Sequence, residues 1–183
     1  MTTSFSINND SALFLDRDGV INRQIVDGYV VGVEGFKFLP GVLSALARLS
    51  KKFRYIFIVT NQQGVGKGIF SEKDLENIHQ FMTKKIEKNS GRIDKIYVCT
   101  ALEKENSEYR KPNTGMGRLA LNDFPQIDLK TSIMVGDSLT DLIFGSKLGM
   151  KTVYVTKGQS YKTEIDMYAD RIYTNLAEFS KDL

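Results

Sequence analysis

Short apolar runs of strand length alternate with helical patterns along the chain, and this alternation constrains the fold more than any other feature. Strands fully covered on both faces are apolar throughout, and strands that alternate with helices pair in parallel. We therefore predict an α/β fold, a three-layer doubly wound parallel sheet. The predicted strands are Leu13–Asp16, Tyr55–Thr60, Lys95–Cys99, Ser132–Gly136, Thr152–Val155 and Arg171–Tyr173.

Helices are predicted between these strands. Pro40-Gly41 is expected to open the first helix, with Pro40 in its first turn. Ser71-Glu-Lys-Asp74 resembles a capping box, and Leu75, Ile78, Met82 and Ile86 follow it at helical spacing. Two further helices are predicted over Met116–Asn122 and Leu139–Leu148, whereas the glycines from Gly64 to Gly68 are interpreted as a flexible turn.

Polar residues follow three of the predicted strands. Asp16 and Asp18 end the first strand, Thr60 and Asn61 the second, and Gly136 and Asp137 a later one. In open α/β sheets, ligands bind outside the carboxyl ends of the strands. The three clusters are therefore expected to meet at one edge of the sheet.

The two aspartates near the first strand carry the clearest chemical signal. Asp16 directly follows the apolar residues Ala12–Leu15, and a buried carboxylate is costly unless it is paired or bound to metal. Two carboxylates at a chain bend can share one hard cation, and one of them can remain free to attack. Alternatively, Asp16 could simply lie at a strand end exposed to solvent, but this does not explain why it directly follows four apolar residues.

Taken together, these residues resemble the haloacid dehalogenase (HAD) superfamily. The matching motifs occur in the family's order: Asp16-x-Asp18-Gly19-Val20, Thr60-Asn61, Lys111-Pro112 and Gly136-Asp137-x-x-x-Asp141. The resemblance implies a phosphatase that forms an aspartyl-phosphate on Asp16, with Asp18 as general acid and base. It also implies Mg²⁺ as cofactor.

Each motif residue receives a role from this resemblance. Asp16, Asp137 and the main-chain carbonyl of Asp18 would hold Mg²⁺, and Asp141 would hold a water of the ion rather than the ion itself. Lys111, the Thr60 hydroxyl and the Asn61 main-chain amide would contact the phosphoryl oxygens. A carboxylate is already ionised at neutral pH, so it can attack phosphorus without losing a proton.

The longer runs Asp16-Arg-Asp-Gly-Val-Ile-Asn22, Thr60-Asn-Gln-Gln-Gly64 and Arg110-Lys-Pro112 resemble the branch that contains the D,D-heptose 1,7-bisphosphate and histidinol-phosphate phosphatases. The resemblance implies that Asn22 and Gln63 line the pocket and that Arg110 contacts the remote part of the substrate. The gaps between motifs are too short for a separate cap domain, so residues 1–183 are expected to form one domain. The segments Asn22–Val33 and Thr100–Tyr109 are expected to cover the site.

The chain departs from that branch in two places. Many members carry a Cys/His zinc loop, but Thr100–Tyr109 contains neither residue, so no zinc is expected and packing or hydrogen bonds must hold the segment. Ser138 stands where lysine is expected in many heptose enzymes. The lone histidine, His79, lies beside the apolar stripe of its helix and is predicted to be a surface residue.

Composition excludes several classes of protein. A net charge of +3 over 183 residues is too small for a nucleic-acid-binding footprint, and no apolar run reaches membrane-spanning length. The first ten residues lack the pattern of a signal peptide, and the single Cys99 suits a reducing compartment. These features predict a cytoplasmic protein and leave its oligomeric state open.

The expected function is therefore Mg²⁺-dependent hydrolysis of a small phosphate ester, with D-glycero-D-manno-heptose 1,7-bisphosphate (the 7-phosphate) as first candidate. Histidinol phosphate and nucleic-acid 3′-phosphates are alternative substrates. A phospho-accepting signalling domain is a different class of protein that also combines acids, Mg²⁺, Thr and Lys on such a sheet. In such domains the accepting aspartate normally lies near the middle of the chain, whereas Asp16 is early and has Asp18 to drive hydrolysis.

Overall fold

Six parallel strands form one sheet in the order β3-β2-β1-β4-β5-β6. The structure is a computed structural model that describes residues 5–183; the first four residues, part of the segment inspected for a targeting signal, lie outside it. The strands match the predicted ones to within one residue at each end: β1 Ala12–Leu15, β2 Tyr55–Asn61, β3 Lys95–Cys99, β4 Ile133–Gly136, β5 Lys151–Val155 and β6 Arg171–Tyr173.

Helices connect the strands, and four of them were predicted. The capping box at Ser71 is present and begins the longest helix. Pro40 precedes the first helix instead of lying in its first turn, because Gly41, at φ 75°, is the N-cap. The predicted turn after Asn61 contains a short helix, and the last helix was not predicted. The helices are α1 Val42–Leu49, α2 Gln63–Gly66, α3 Glu72–Lys88, α4 Gly115–Asp123, α5 Leu139–Lys147 and α6 Leu176–Asp182.

Two hydrophobic cores cover the two faces of the sheet, as the predicted three-layer fold requires. Side chains alternate between faces along a strand, so Leu13 and Leu15 of β1 enter one core and Ala12 and Phe14 enter the other. The first core is completed by α1, α3 and α6, and the second by α4 and α5.

The strand order places the polar clusters side by side. β1 pairs with β2 on one side and with β4 on the other, so the residues that follow these three strands share one edge. The order of the strands reverses at β1, which is the topological switch point where doubly wound sheets bind ligands. Among residues 5–183, none of the helices has the length and apolar content needed to cross a lipid bilayer.

Candidate active site

A cavity lies at this edge and brings together residues from all four sequence motifs. Its wall includes part of the loop after β1, namely Gln24, Ile25 and Gly28–Val30, but no residue of the segment Thr100–Tyr109, which was expected to cover the site as well. The motif residues that line it are Asp16, Asp18, Thr60, Asn61, Lys111, Asp137 and Asp141.

Lys111 joins two of the carboxylates below the cavity. Its Nζ lies 2.7 Å from Asp16 Oδ1 and 2.6 Å from Asp141 Oδ1, and it also donates to the Val59 carbonyl oxygen at 2.7 Å. Lys111 is only 3% exposed, so these contacts replace its hydration. No protein donor in the described part of the chain reaches Asp16 Oδ2, which leaves this oxygen available for chemistry.

Burial and neighbouring charges oppose each other in this cluster. Burial raises the pKa of Asp16 to about 8 although the Lys111 ammonium acts to lower it, and the charges of Asp141 and Asp137 raise it further. Burial alone would lower the pKa of Lys111, but the Asp141 and Asp16 carboxylates outweigh burial and raise it above its usual value. Lys111 is therefore positively charged, and a further cation beside Asp16 would lower the pKa of that carboxyl and favour its ionised form.

Asp18 is held by three side-chain donors. Arg17 Nη2 donates to Oδ2 at 2.8 Å and to Oδ1 at 3.1 Å, Asn22 Nδ2 donates to Oδ1 at 2.8 Å, and Gln62 Nε2 donates to Oδ2 at 2.7 Å. The Gln62 amide also donates to Thr60 Oγ1 at 2.8 Å. These bonds fix the orientation of the Asp18 carboxylate beside Asp16.

Asp137 also lines the cavity and pairs with a lysine from the loop after β5. Lys157 Nζ lies 2.7 Å from Asp137 Oδ2 and donates to Gln24 Oε1 at 3.0 Å. Burial raises the pKa of Asp137 to about 6, with a further increase from Asp141, although Lys157 lowers it. Gly19 allows the close approach of the two loops, because a Cβ there would lie 1.9 Å from Asp137 Oδ2.

The carboxylates also form a group that could hold a metal ion. Asp16, Asp137 and Asp141 each offer an oxygen, and the three oxygens lie within 4.8 Å of one another. Oxygen donors of this kind suit Mg²⁺. Asp141 differs from the other two because its Oδ2 also accepts from the Ser138 amide at 3.1 Å and from Ser138 Oγ at 2.6 Å. Asp16 and Asp137 are therefore the freer ligands, and Asp141 is suited to orienting a neighbouring group.

Three residues predicted to contact the substrate stand outside the cavity lining. Asn22 is fully buried and holds Asp18 instead. Gln63 Oε1 faces the Glu103 amide at 3.4 Å, and Arg110 Nη1 reaches the Ala101 carbonyl oxygen at 3.4 Å. Asn61 does line the cavity, but its side chain pairs with the main chain of Lys111 through two bonds of 3.1 Å. It therefore positions that lysine.

Hydrogen bonds order the segment that lacks zinc ligands. Glu105 Oε2 accepts from the Leu102 amide at 2.9 Å, which closes a short turn. Asn113 Nδ2 donates to the Ser107 carbonyl oxygen at 3.0 Å, and the Gly115 amide donates to the Glu108 carbonyl oxygen at 2.9 Å. Local polar contacts thus connect the segment to the start of α4, as was expected of a chain without Cys or His there.

Four residues around the site were not identified from the sequence. Gln62 precedes the predicted Gln63, and only the helical turn of α2 decides which glutamine faces the cavity. Gln24 and Lys157 meet across a sequence separation of 133 residues, which carries no local signal. Arg17 could have been suspected, because a guanidinium between two motif aspartates needs partners wherever it is buried.

Comparison with known proteins supports the same fold and identifies the family. Residues 108–179 match the HAD-hydrolase-like family. The D-glycero-beta-D-manno-heptose-1,7-bisphosphate 7-phosphatase of Haemophilus ducreyi is 37% identical over 91% of this chain and 94% of its own length. The alpha-anomer 7-phosphatase of Campylobacter jejuni is 38% identical over 91% and 92%. The D,D-heptose 1,7-bisphosphate phosphatase of B. bronchiseptica, solved with magnesium and phosphate, superposes with a TM-score of 0.82, at 28% identity over 93% and 96%.

Proposed function

Because this chain belongs to the HAD-like phosphatase family that contains these heptose-bisphosphate phosphatases, we propose that it removes the 7-phosphate from a D-glycero-D-manno-heptose 1,7-bisphosphate. The observation that carries this proposal is the meeting of Asp16, Asp18, Lys111 and Asp137 in one cavity of a chain with such relatives. The relatives include enzymes for both anomers, so their names leave the preferred anomer open.

The first half of the proposed reaction transfers the phosphoryl group to the protein. Asp16 Oδ2 attacks phosphorus, the bond between phosphorus and the sugar oxygen breaks, and Asp18 gives its proton to the departing oxygen. Lys111 lies beside Asp16 Oδ1, where its ammonium stabilises the charge that develops on the phosphoryl oxygens. The Thr60 hydroxyl donates to the same oxygens.

The second half releases phosphate. The Asp18 carboxylate takes a proton from a water molecule, and the oxygen of that water attacks phosphorus while the bond to Asp16 breaks. Asp16 returns to its carboxylate form, and Asp18 is again protonated for the next turnover. Asn22, Gln62 and Arg17 hold Asp18 in one orientation for both steps.

Mg²⁺ is proposed as the cofactor, held by Asp16, Asp137 and the main-chain carbonyl of Asp18. Its charge would screen the attacking carboxylate from the phosphate and lower the pKa of Asp16. The buried carboxylates outnumber the cations that contact them, Lys111 and Lys157, which supports a site that needs a further positive charge. A reducing, cytoplasmic location is proposed on the basis of the single Cys99.

Phosphate release from a panel of substrates tests the proposed function. With Mg²⁺ present, kcat/KM is expected to be highest for one anomer of heptose 1,7-bisphosphate and at least about tenfold lower for histidinol phosphate or a 3′-phosphorylated oligonucleotide, because buried polar groups discriminate against substrates that leave them unpaired. EDTA is expected to abolish release, and added Mg²⁺ to restore it. Equal rates on all three classes, or release that survives EDTA, would contradict the proposal.

Replacement of Lys157 by methionine is expected to tighten Mg²⁺ binding about three- to tenfold. The ammonium contacts the Asp137 oxygen and therefore competes with any cation for this carboxylate. Isothermal titration of Mg²⁺ without phosphate measures the effect. Lys162→Met is the matched control, since it removes the same charge from an exposed position of the same loop outside the cavity lining. Unchanged or weaker binding by the Lys157 variant would contradict the competition.

A further inference from the structure

The most deeply buried cation near the site is one that the proposed reaction does not use directly. The side chain of Arg17 is 1% exposed and lies between the two motif aspartates in sequence. Its Nη2 holds both oxygens of Asp18, at 2.8 and 3.1 Å. Its Nε is buried without a hydrogen-bond partner. The guanidinium therefore depends on its two terminal nitrogens for its position.

The second terminal nitrogen of Arg17 contacts a histidine instead of an acid. Arg17 Nη1 lies 3.1 Å from Nε2 of His79, which is half-buried on α3 and was predicted to be a surface residue. A guanidinium can only donate hydrogen bonds, so Nε2 must be the acceptor, and the ring proton must sit on Nδ1. Burial, followed by the charge of Arg17, lowers the pKa of His79 to about 3, which keeps the ring neutral and able to accept.

The placement of His79 is rigid because its helix is anchored on the sheet. Ile78, Met82 and Ile86 of α3 are fully buried in the core beneath the helix. His79 follows Ile78 directly on this helix, and its ring reaches Arg17 in the loop after β1. The contact joins a residue of the catalytic loop to an element that the proposed chemistry does not otherwise involve.

We propose that His79 is a positioning residue for Asp18: its Nε2 fixes the Arg17 guanidinium, which in turn fixes the Asp18 carboxylate. This inference rests on the proposed role of Asp18 in phosphoryl transfer. His79 does not itself line the cavity and acts only through Arg17, which does line it. Its loss should therefore affect the turnover rate and leave substrate binding intact.

Two substitutions at position 79 separate positioning from simple packing. His79→Leu removes the acceptor, and kcat is expected to fall about tenfold, a part of the 10²- to 10⁴-fold that general acid–base catalysis supplies, with KM changed less than about twofold. His79→Gln keeps an acceptor at a similar reach, and kcat is expected to stay within about threefold of wild type. Thr83→Ala is the control on α3, because it removes only the bond to the His79 carbonyl oxygen.

The measurements use p-nitrophenyl phosphate, so that they depend on phosphatase chemistry and not on the identity of the sugar. If the heptose proposal is wrong, the wild-type protein will show no preference for heptose 1,7-bisphosphate on the substrate panel. If this inference is wrong, the kcat values of the His79 variants will not differ as expected. NMR of arginine side chains adds a readout without turnover: rotation of the Arg17 guanidinium should be equally slow in wild type and His79→Gln and faster in His79→Leu.

The inference is overturned if His79→Leu keeps the wild-type kcat, or if His79→Gln loses as much as His79→Leu. If the leucine variant does not fold, His79→Asn replaces it, because this polar side chain is too short to reach Nη1. A double-mutant cycle gives a second test. In an Arg17→Met background, His79→Leu should lower kcat no further, and an independent additional loss would also overturn the inference.

Discussion

Replacement of Asp16 by asparagine is expected to lower the rate of phosphate release by about 10⁴-fold or more. The amide has nearly the same shape but carries no charge to attack phosphorus, and removal of a covalent nucleophile eliminates the step that the rest of the site serves. The protein should remain folded, because burial raises the pKa of Asp16 to about 8 and a neutral side chain is favoured there without metal. Lys111 keeps Asp141 as its partner.

The measurement is phosphate release under saturating Mg²⁺, together with thermal unfolding in EDTA. Asp10→Asn is the matched control, since Asp10 is exposed just before β1, at the opposite end of that strand from the cavity. The control should retain wild-type activity. A rate of phosphate release by Asp16→Asn within about tenfold of the wild-type rate would contradict the proposed covalent mechanism.

Replacement of Lys111 by methionine is expected to damage both activity and stability. The change leaves Asp16 and Asp141 buried without their shared partner, and breaking a buried ion pair in this way costs about 3–5 kcal/mol of unfolding free energy. Loss of a cation beside the phosphoryl group should also lower kcat by about 10²- to 10³-fold. Urea unfolding in EDTA and phosphate-release assays measure the two effects.

The stability loss should depend on pH in a defined direction. A carboxyl whose pKa is raised on folding binds a proton more readily in the folded state, so stability falls as pH rises from its unfolded pKa, about 4, towards its folded pKa, about 8 for Asp16 in the wild type. Without Lys111 the folded pKa of Asp16 rises further, so the decline should continue above pH 8, where that of the wild type levels off.

Two further variants check the origin of this loss. At a pH high enough to ionise Asp16, adding Asp16→Asn to Lys111→Met should recover part of the lost stability, because one unpaired charge disappears. The exposed Lys88 of α3, changed to methionine, should have little effect. A Lys111→Met protein as stable as wild type at pH 8, or a double variant less stable than Lys111→Met alone, would show that this ion-pair cluster does not govern the stability of the site.

The fold could be predicted because its determinants are local. Apolar runs such as Tyr55–Val59 and the stripe of α3 report burial through their own periodicity, and alternation of strands with helices then gives a parallel sheet. The prediction that Pro40 lies in the first turn of α1 was wrong because of the backbone conformation of the next residue. Gly41 adopts a left-handed φ of 75° as N-cap, which places the preceding proline outside the helix.

Strand positions predict only the site residues that lie at strand ends, whereas Lys111 and Asp141 were predicted from the family motifs. Asp16 and Asp137 follow strands and Thr60 lies at the end of β2, so the strand order alone brings them to one edge. Partners from other loops and helices are set by tertiary packing. Lys157 lies in the loop after β5, and the contact of His79 with Arg17 depends on how α3 is rotated on the sheet. The apolar stripe of α3 predicts which face of the helix is buried, but it does not predict which residue at the edge of that face contacts the loop after β1.

Chemical trapping of the phosphorylated protein tests the central claim most directly. Enzyme quenched during turnover and reduced with sodium borohydride converts an aspartyl-phosphate to homoserine, which peptide mass spectrometry locates in the chain. The proposed mechanism predicts homoserine in place of Asp16 and unmodified Asp18 and Asp137. Trapping at another aspartate, or steady phosphate release with no reducible acyl phosphate, would contradict it.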